Sequence, residues 1–140
     1  MSTPDHAEPI VRLRDAINSH DLDAVVGCFA EDYRNETPAH PARSFTGREQ
    51  VRRNWTQILA GIPDLHAEIV RSARSGDDLW AEWSWNGSRG DGAAFAMRGV
   101  TILGVDGAAA IAWTRFYMEP VDQGGPDAGA AVKVAVGAGS

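Results

Sequence analysis

The sequence predicts an α+β domain in which three N-terminal helices pack on one curved antiparallel sheet of four to six strands and enclose a pocket. Three observations predict it. Apolar residues recur at helical spacing up to about Ile62, the period changes to two after Pro63, and tryptophans crowd the alternating stretch.

Ile10, Leu13 and Ile17 set a first helix from about Asp5 to Asn18, with Pro9 tolerated in its first turn. Asp21 reads as the N-cap of a short second helix carrying Leu22, Val25, Val26 and Phe29. Thr46-Gly47-Arg48-Glu49 fits a capping box that opens a third helix, in which Thr46 accepts from the Glu49 amide. Val51, Trp55, Ile58, Leu59 and Ile62 follow on one face, and Pro63 stops it. A strand from about Asp64 to Arg74 comes next, followed by three alternating runs around Leu79–Asn86, Met97–Leu103 and Ile111–Met118. Ser75-Gly76-Asp77, Gly87 to Gly92 and Asp106-Gly107 supply the turns of a meander. The domain is expected to span residues 1–121, and the Gly/Ala-rich residues 122–140 to form a flexible tail.

Composition narrows the function. The chain has 140 residues, enough for one domain with a real core, and a net charge of −6 from 13 basic and 19 acidic residues. That balance argues against nucleic acid as a partner, because phosphate-backbone binding needs a basic surface. No stretch approaches the roughly 20 apolar residues that span a bilayer, so no membrane partner is expected. The N-terminus lacks a signal pattern, and Cys28 is the single cysteine, which points to the cytoplasm and a small buried hydrophobe. His6, His20, His40 and His66 have no metal-ligand spacing, so neither metal nor cofactor is expected.

Three segments carry a resemblance: NSHDLDAVVGCFAEDY (Asn18 to Tyr33), PxxxFxGREQVRRNW (Pro41 to Trp55) and IAWTRFYMEPV (Ile111 to Val121). Together with the element order they resemble the nuclear-transport-factor-2-like superfamily, in its SnoaL-like group, over about residues 5–120. The resemblance implies a cone whose concave sheet face and helices enclose a ligand pocket. The superfamily includes ketosteroid isomerases, epoxide hydrolases, polyketide cyclases and proteins without catalysis, so the fold does not fix the activity. Against the ketosteroid isomerases, the oxyanion tyrosine falls on Leu13, the general-base aspartate on Thr37, and the second oxyanion acid near Gly99. Against limonene-type epoxide hydrolases, Arg115 stands where a catalytic aspartate belongs, and Trp83 and Trp85 replace the acid–base pair. The inward aspartate of SnoaL-like cyclases has no match on the last two strands.

Strand parity and the resemblance together give the expected pocket wall. Trp83, Trp85, Met97, Thr101, Trp113, Arg115 and Tyr117 face inward, and Trp55, Phe29 and Tyr33 close the space from the helices. The tryptophans are read either as plain core or as a slot for a flat hydrophobic ligand. Arg115 in an apolar cone does not lose its proton, so it needs Glu36 or an anionic or carbonyl-bearing ligand as its partner. A structural salt bridge or an exit to water at the strand end is the alternative reading. Glu36 and His40 are the candidate bases, and Arg115 with Tyr117 would stabilise a developing enolate. Solvated loop residues are the alternative reading of Glu36 and His40. The expected function is therefore binding of a hydrophobic, cyclic, carbonyl-bearing small molecule, with cofactor-free isomerisation, cyclisation or dehydration as the chemistry. A non-catalytic binding or dimerisation module and a rearranged epoxide hydrolase stand as alternatives. Trp80, Ile102, Phe116 and Met118, placed on the outer sheet face, suggest a homodimer through that face.

Overall fold

A computed structural model describes residues 7–137. Helix α1 (Glu8–Ser19) carries Pro9 in its first turn and buries Ile10, Leu13, Ala16 and Ile17. The expected start near Asp5 lies outside the described residues. The helix ends on His20 at φ 58°, a left-handed residue whose amide returns to the Ile17 carbonyl. Asp21 then caps α2 (Leu22–Val26), accepting from the amides of Asp23 and Ala24. Helix α3 (Arg48–Gly61) buries Val51 and Trp55. Its N-cap is Gly47 at φ 102° with no side-chain cap, so the expected Thr46 capping box does not form. Thr46 is occupied as a strand residue instead.

Six strands form one open sheet in the order β2-β1-β6-β5-β4-β3. They are β1 (Phe29–Glu36), β2 (Phe45–Thr46), β3 (His66–Ser75), β4 (Asp78–Ser88), β5 (Ala94–Val105) and β6 (Ile111–Pro120). The expected meander is β3 to β6, all antiparallel. Strand β1 was expected as the end of the second helix and a loop, yet it pairs in parallel with β6 and antiparallel with β2. The sheet is therefore mixed rather than wholly antiparallel. Helix α2 is five residues long because Gly27 closes its last turn, and Phe29 passes into the strand.

The core lies between the helices and one sheet face. Trp83, Ile10, Ile17, Leu65, Leu103, Ile111 and Val25 are its most deeply buried large side chains. Each such burial contributes about 1.5–3 kcal/mol of transfer free energy. The NSHD segment ties the helices to the sheet. Asn18 donates to the Ala67 carbonyl at 2.9 Å and accepts from the Ala67 amide at 2.7 Å, while His20 Nε2 lies 2.7 Å from the Leu65 carbonyl oxygen. Asn18 thus serves as a strand-like partner for the edge strand β3. The Gly/Ala-rich stretch was expected as a flexible tail, but it contains helix α4 (Ala128–Ala135), capped by Asp127 and with no buried residue. The Asp127 cap, which accepts from the Ala130 amide, and four alanines favour that helix locally.

Candidate functional site

The helices and the concave sheet face leave a cavity of about 300 Å³. That is the small end of the usual ligand-pocket range of about 300–1,000 Å³. Strand β4 supplies Trp83 and Trp85 at alternate positions, and β5 supplies Met97, Thr101 and Leu103 from the matching face. Helix α3 adds Val51, Asn54, Trp55 and Ile58, one helical stripe at spacings of three and four. Strand β1 adds Phe29, Tyr33 and Asn35, followed by Thr37.

The wall is aromatic and internally ordered. Trp55 and Trp85 lie 5.6 Å apart between ring centres, and Trp83 meets Trp85 edge to face at 6.1 Å. Phe29 and Tyr33 pack edge to face at 4.7 Å. The polar groups mostly satisfy one another. Trp83 Nε1 donates to Thr101 Oγ1 at 2.9 Å, Tyr33 donates to Asn35 Oδ1 at 3.2 Å, and Asn35 Nδ2 donates to Thr37 Oγ1 at 3.0 Å. Burial pushes the Tyr33 phenol far above its ordinary pKa, opposed by a hydrogen bond with Thr114, so it stays a neutral hydroxyl at physiological pH. No carboxylate or imidazole among the described residues lines the cavity, and its one charged wall residue is the exposed Arg43 at the rim.

Seven residues expected on the wall stand there: Phe29, Tyr33, Trp55, Trp83, Trp85, Met97 and Thr101. Phe29 and Tyr33 reach it from a strand rather than from a helix. Trp113, Arg115 and Tyr117 do not line it. Across the β5–β6 ladder, Thr101 faces Phe116 and Leu103 faces Thr114, so Thr114 and Phe116 point inward. Ile102 faces Arg115 and Val100 faces Tyr117 on the outer side. The cause is a bulge at Ala112. Val105 pairs with Ile111 and Gly104 with Trp113, which leaves Ala112 as the extra residue. Ile111 is inward and buried, as the alternation requires, but everything beyond the bulge changes face. Trp113 then lies over Gly104 on the outside, where any side chain at 104 would collide with its indole.

The expected catalytic residues are all engaged away from the cavity. Arg115 donates to Glu36 at 2.6 Å and to Tyr117 Oη at 3.2 Å, with Arg115 and Glu36 opposite one another on the parallel β1–β6 pair. His40 Nε2 lies 2.6 Å from Glu119, both part-exposed. His66 and Glu68 lie 3.6 Å apart, and Arg71 bonds Glu82 at 2.9 Å, all solvated pairs. The same bulge corrects the outer face: Phe116 and Met118 turn inward, leaving Trp80 and Ile102 of the four residues expected there. Two positions implied by the isomerase resemblance, Leu13 and Thr37, do border the cavity, but without an acid. At Gly99, with φ 149°, a Cβ would run into the Tyr117 carbonyl, so an acid there is incompatible with this backbone. Sequence reading missed Asn54, Thr114 and Phe116, as well as Asn35, Arg43 and Phe45. The stripe Val51-Asn54-Trp55-Ile58 carried the signal for Asn54, whereas nothing in the alternation of β6 marked its change of phase.

No group of His, Cys, Asp and Glu suited to a metal ion occurs among the described residues, and no helix among them is long and apolar enough to cross a membrane. Comparison with curated protein sequences gives no match. Among solved structures, the chain is similar to a hypothetical protein of ketosteroid-isomerase-like fold from Catenulispora acidiphila, in complex with trimethylamine. That pair has 24% identity and a TM-score of 0.68, over 83% of this chain and 87% of that one. It is similar to SalBIII, described as an epoxide hydrolase/cyclase-like enzyme in pyran ring formation in polyether salinomycin (15% identity, TM-score 0.71, 81% and 90% coverage). A SnoaL-like protein of unknown function from Burkholderia thailandensis shares 21% identity at a TM-score of 0.64, with 86% and 98% coverage. These likenesses give the fold, and a scan against known families matches residues 10–113 to the SnoaL-like domain. With the greater part of its length matched and the helix-covered sheet in place, the chain belongs to the SnoaL-like domain family.

Proposed function

We propose that the cavity binds a hydrophobic, cyclic, oxygen-bearing small molecule, and that it does so without acid–base catalysis by a carboxylate or imidazole of its wall. The observation that carries this reading is the wall itself. Aromatic faces from α3, β1 and β4 surround a space whose described lining holds no acid and no histidine. A proton-transfer enzyme needs a base within hydrogen-bond reach of its substrate. Glu36, His40, Arg115 and Tyr117 are committed to outer-face pairs, and Tyr33 is held neutral by burial. The rearranged epoxide hydrolase would require two inward acids, and the described wall offers none.

Pairing of two copies through the outer sheet face belongs to the same proposal in reduced form. Trp80 and Tyr117 remain exposed there, at 42% and 39%, but the Arg71–Glu82 and Arg115–Glu36 pairs share the face. A light-scattering mass equal to one chain at micromolar concentration overturns it.

Calorimetric titration with a panel of two- and three-ring ketones tests the ligand reading. Saturable binding is expected, weakened when Ile58→Phe narrows the half-buried side of the cavity. Absence of binding across the panel, with no ligand seen by native mass spectrometry of protein from its own host, overturns it.

A further inference from the structure

We propose that the Trp85 indole N–H donates a hydrogen bond to a ketone or ether oxygen of the bound molecule, and that this bond selects oxygenated ligands over hydrocarbons of the same shape. The inference rests on the cavity being a ligand site. Among the described residues, Trp85 Nε1 is the buried side-chain polar atom that has no partner. A buried donor without an acceptor is costly, and native structures leave few of them.

The sheet register explains why Trp85 is orphaned while Trp83 is not. The two tryptophans are alternate residues on one face of β4, opposite Gly99 and Met97 of β5 respectively. The diagonal neighbour of Trp83, two positions beyond its partner, is Thr101, whose hydroxyl accepts at 2.9 Å. The corresponding neighbour of Trp85 is Gly99, which has no side chain. A Cβ there would strike the backbone at Tyr117 and Met118, so the register withholds an acceptor at this point. Met97 stands opposite Trp85, and its thioether is a poor acceptor on a flexible side chain that yields to a ligand.

Charge separates an oxygen acceptor from a cation. Aromatic walls also suit alkylammonium groups, which sit over ring faces. Here the one charged wall residue is Arg43, and an indole N–H presents the positive end of its dipole. Both favour the negative end of a carbonyl or ether.

The test is a pair of shape-matched probes, 2-acetylnaphthalene and 2-isopropenylnaphthalene, titrated by calorimetry against the wild-type chain and Trp85→Phe. The ketone is expected to bind the wild type about tenfold tighter, which corresponds to about 1.4 kcal/mol. In Trp85→Phe that preference falls to within about twofold because the donor is gone, while the ring area lost with the indole weakens both probes alike. A second readout needs no variant. One indole N–H resonance moves to higher proton frequency with the ketone and not with the hydrocarbon. Equal affinity of both probes for the wild type overturns the role of Trp85 and leaves the cavity as a ligand site. Failure of both probes to bind, with the wider ketone panel and native mass spectrometry also showing no ligand, overturns the two readings together. An indole resonance unmoved by the bound ketone overturns the hydrogen bond and points to an N–H directed at the Trp55 ring. Should Trp85→Phe fold poorly, the wild-type resonance decides alone.

Discussion

Asn18 and Ala67, far apart in sequence, exchange two hydrogen bonds at 2.9 and 2.7 Å, so that one side-chain amide completes the ladder of an edge strand. The contact joins the last turn of α1 to β3 and explains a motif that carries no chemistry of its own. Asn18→Ala leaves both backbone groups of Ala67 unpaired in a part-buried setting. The expected cost is about 1–3 kcal/mol. Urea unfolding checks it, and Asn18→Asp should recover part of the loss by keeping the acceptor for the Ala67 amide.

Gly99 and Gly104 face different obstacles. At Gly99 the φ is 149° and the neighbour is backbone of β6; at Gly104 the neighbour is the Trp113 ring, which is only partly buried. Gly99→Ala should therefore destabilise more than Gly104→Ala, by about 1–3 kcal/mol for the strained position. Thermal melts of the two variants give the order. The reverse order would mean that the β6 backbone shifts more easily than the Trp113 ring.

Alkaline pH should weaken the fold in two stages. Burial raises both the Cys28 thiol and the Tyr33 phenol, so the unfolded chain releases each proton before the native chain does. The contribution of these two groups is then constant below the unfolded thiol value of about 9 and begins to fall above it. It falls further once pH passes the unfolded phenol value near 10, by up to about 1.4 kcal/mol per pH unit for each group. Tyr33→Phe should remove the upper stage and keep the lower one. Denaturant midpoints from pH 7 to 11 report the slopes.

Cys28 is 3% exposed, and its thiol donates to the Ala24 carbonyl at 3.4 Å. Desolvation raises its pKa, with the nearby Arg12 charge opposing, and little thiolate forms near neutrality. An aromatic disulfide reagent at pH 8 should label the native chain slowly and the unfolded chain at once. Rapid native labelling would contradict the burial of Cys28 at the junction of α2 and β1.

Arg115→Ala should leave ligand affinity in the cavity unchanged, because its guanidinium is on the opposite sheet face from Thr114 and Phe116. Loss of binding in this variant, with the fold intact by circular dichroism, would return Arg115 to the site.

Much of the fold was legible because it rests on local rules. The helical spacing of Ile10, Leu13 and Ile17, the Asp21 cap, and the alternation of β4 and β5 each act within a few residues. Trp83, Trp85, Met97 and Thr101 stand on the wall for the same reason: a regular strand fixes its own faces. Strand β1 was not legible, since Phe29–Glu36 mixes acids with apolar residues and draws its order from parallel pairing with a strand far along the chain.

The active face of β6 was decided by tertiary structure alone. Both phases of Ile111–Pro120 carry large side chains, Trp113-Arg115-Tyr117 on one and Thr114-Phe116-Met118 on the other. Alternation from Ile111 selects the first, and the Ala112 bulge selects the second. A bulge depends on the partner strands, here Gly104 beneath Trp113 and the irregular pairing of β1. One unpaired residue thus moved Arg115 and Tyr117 outside and left Arg43 at the rim as the one charged group among the described residues of the cavity wall. The sequence by itself determined the layers, the helix caps and the faces of the regular strands, while the phase of the last strand, and with it the chemistry of the cavity, came from contacts between residues distant in the chain.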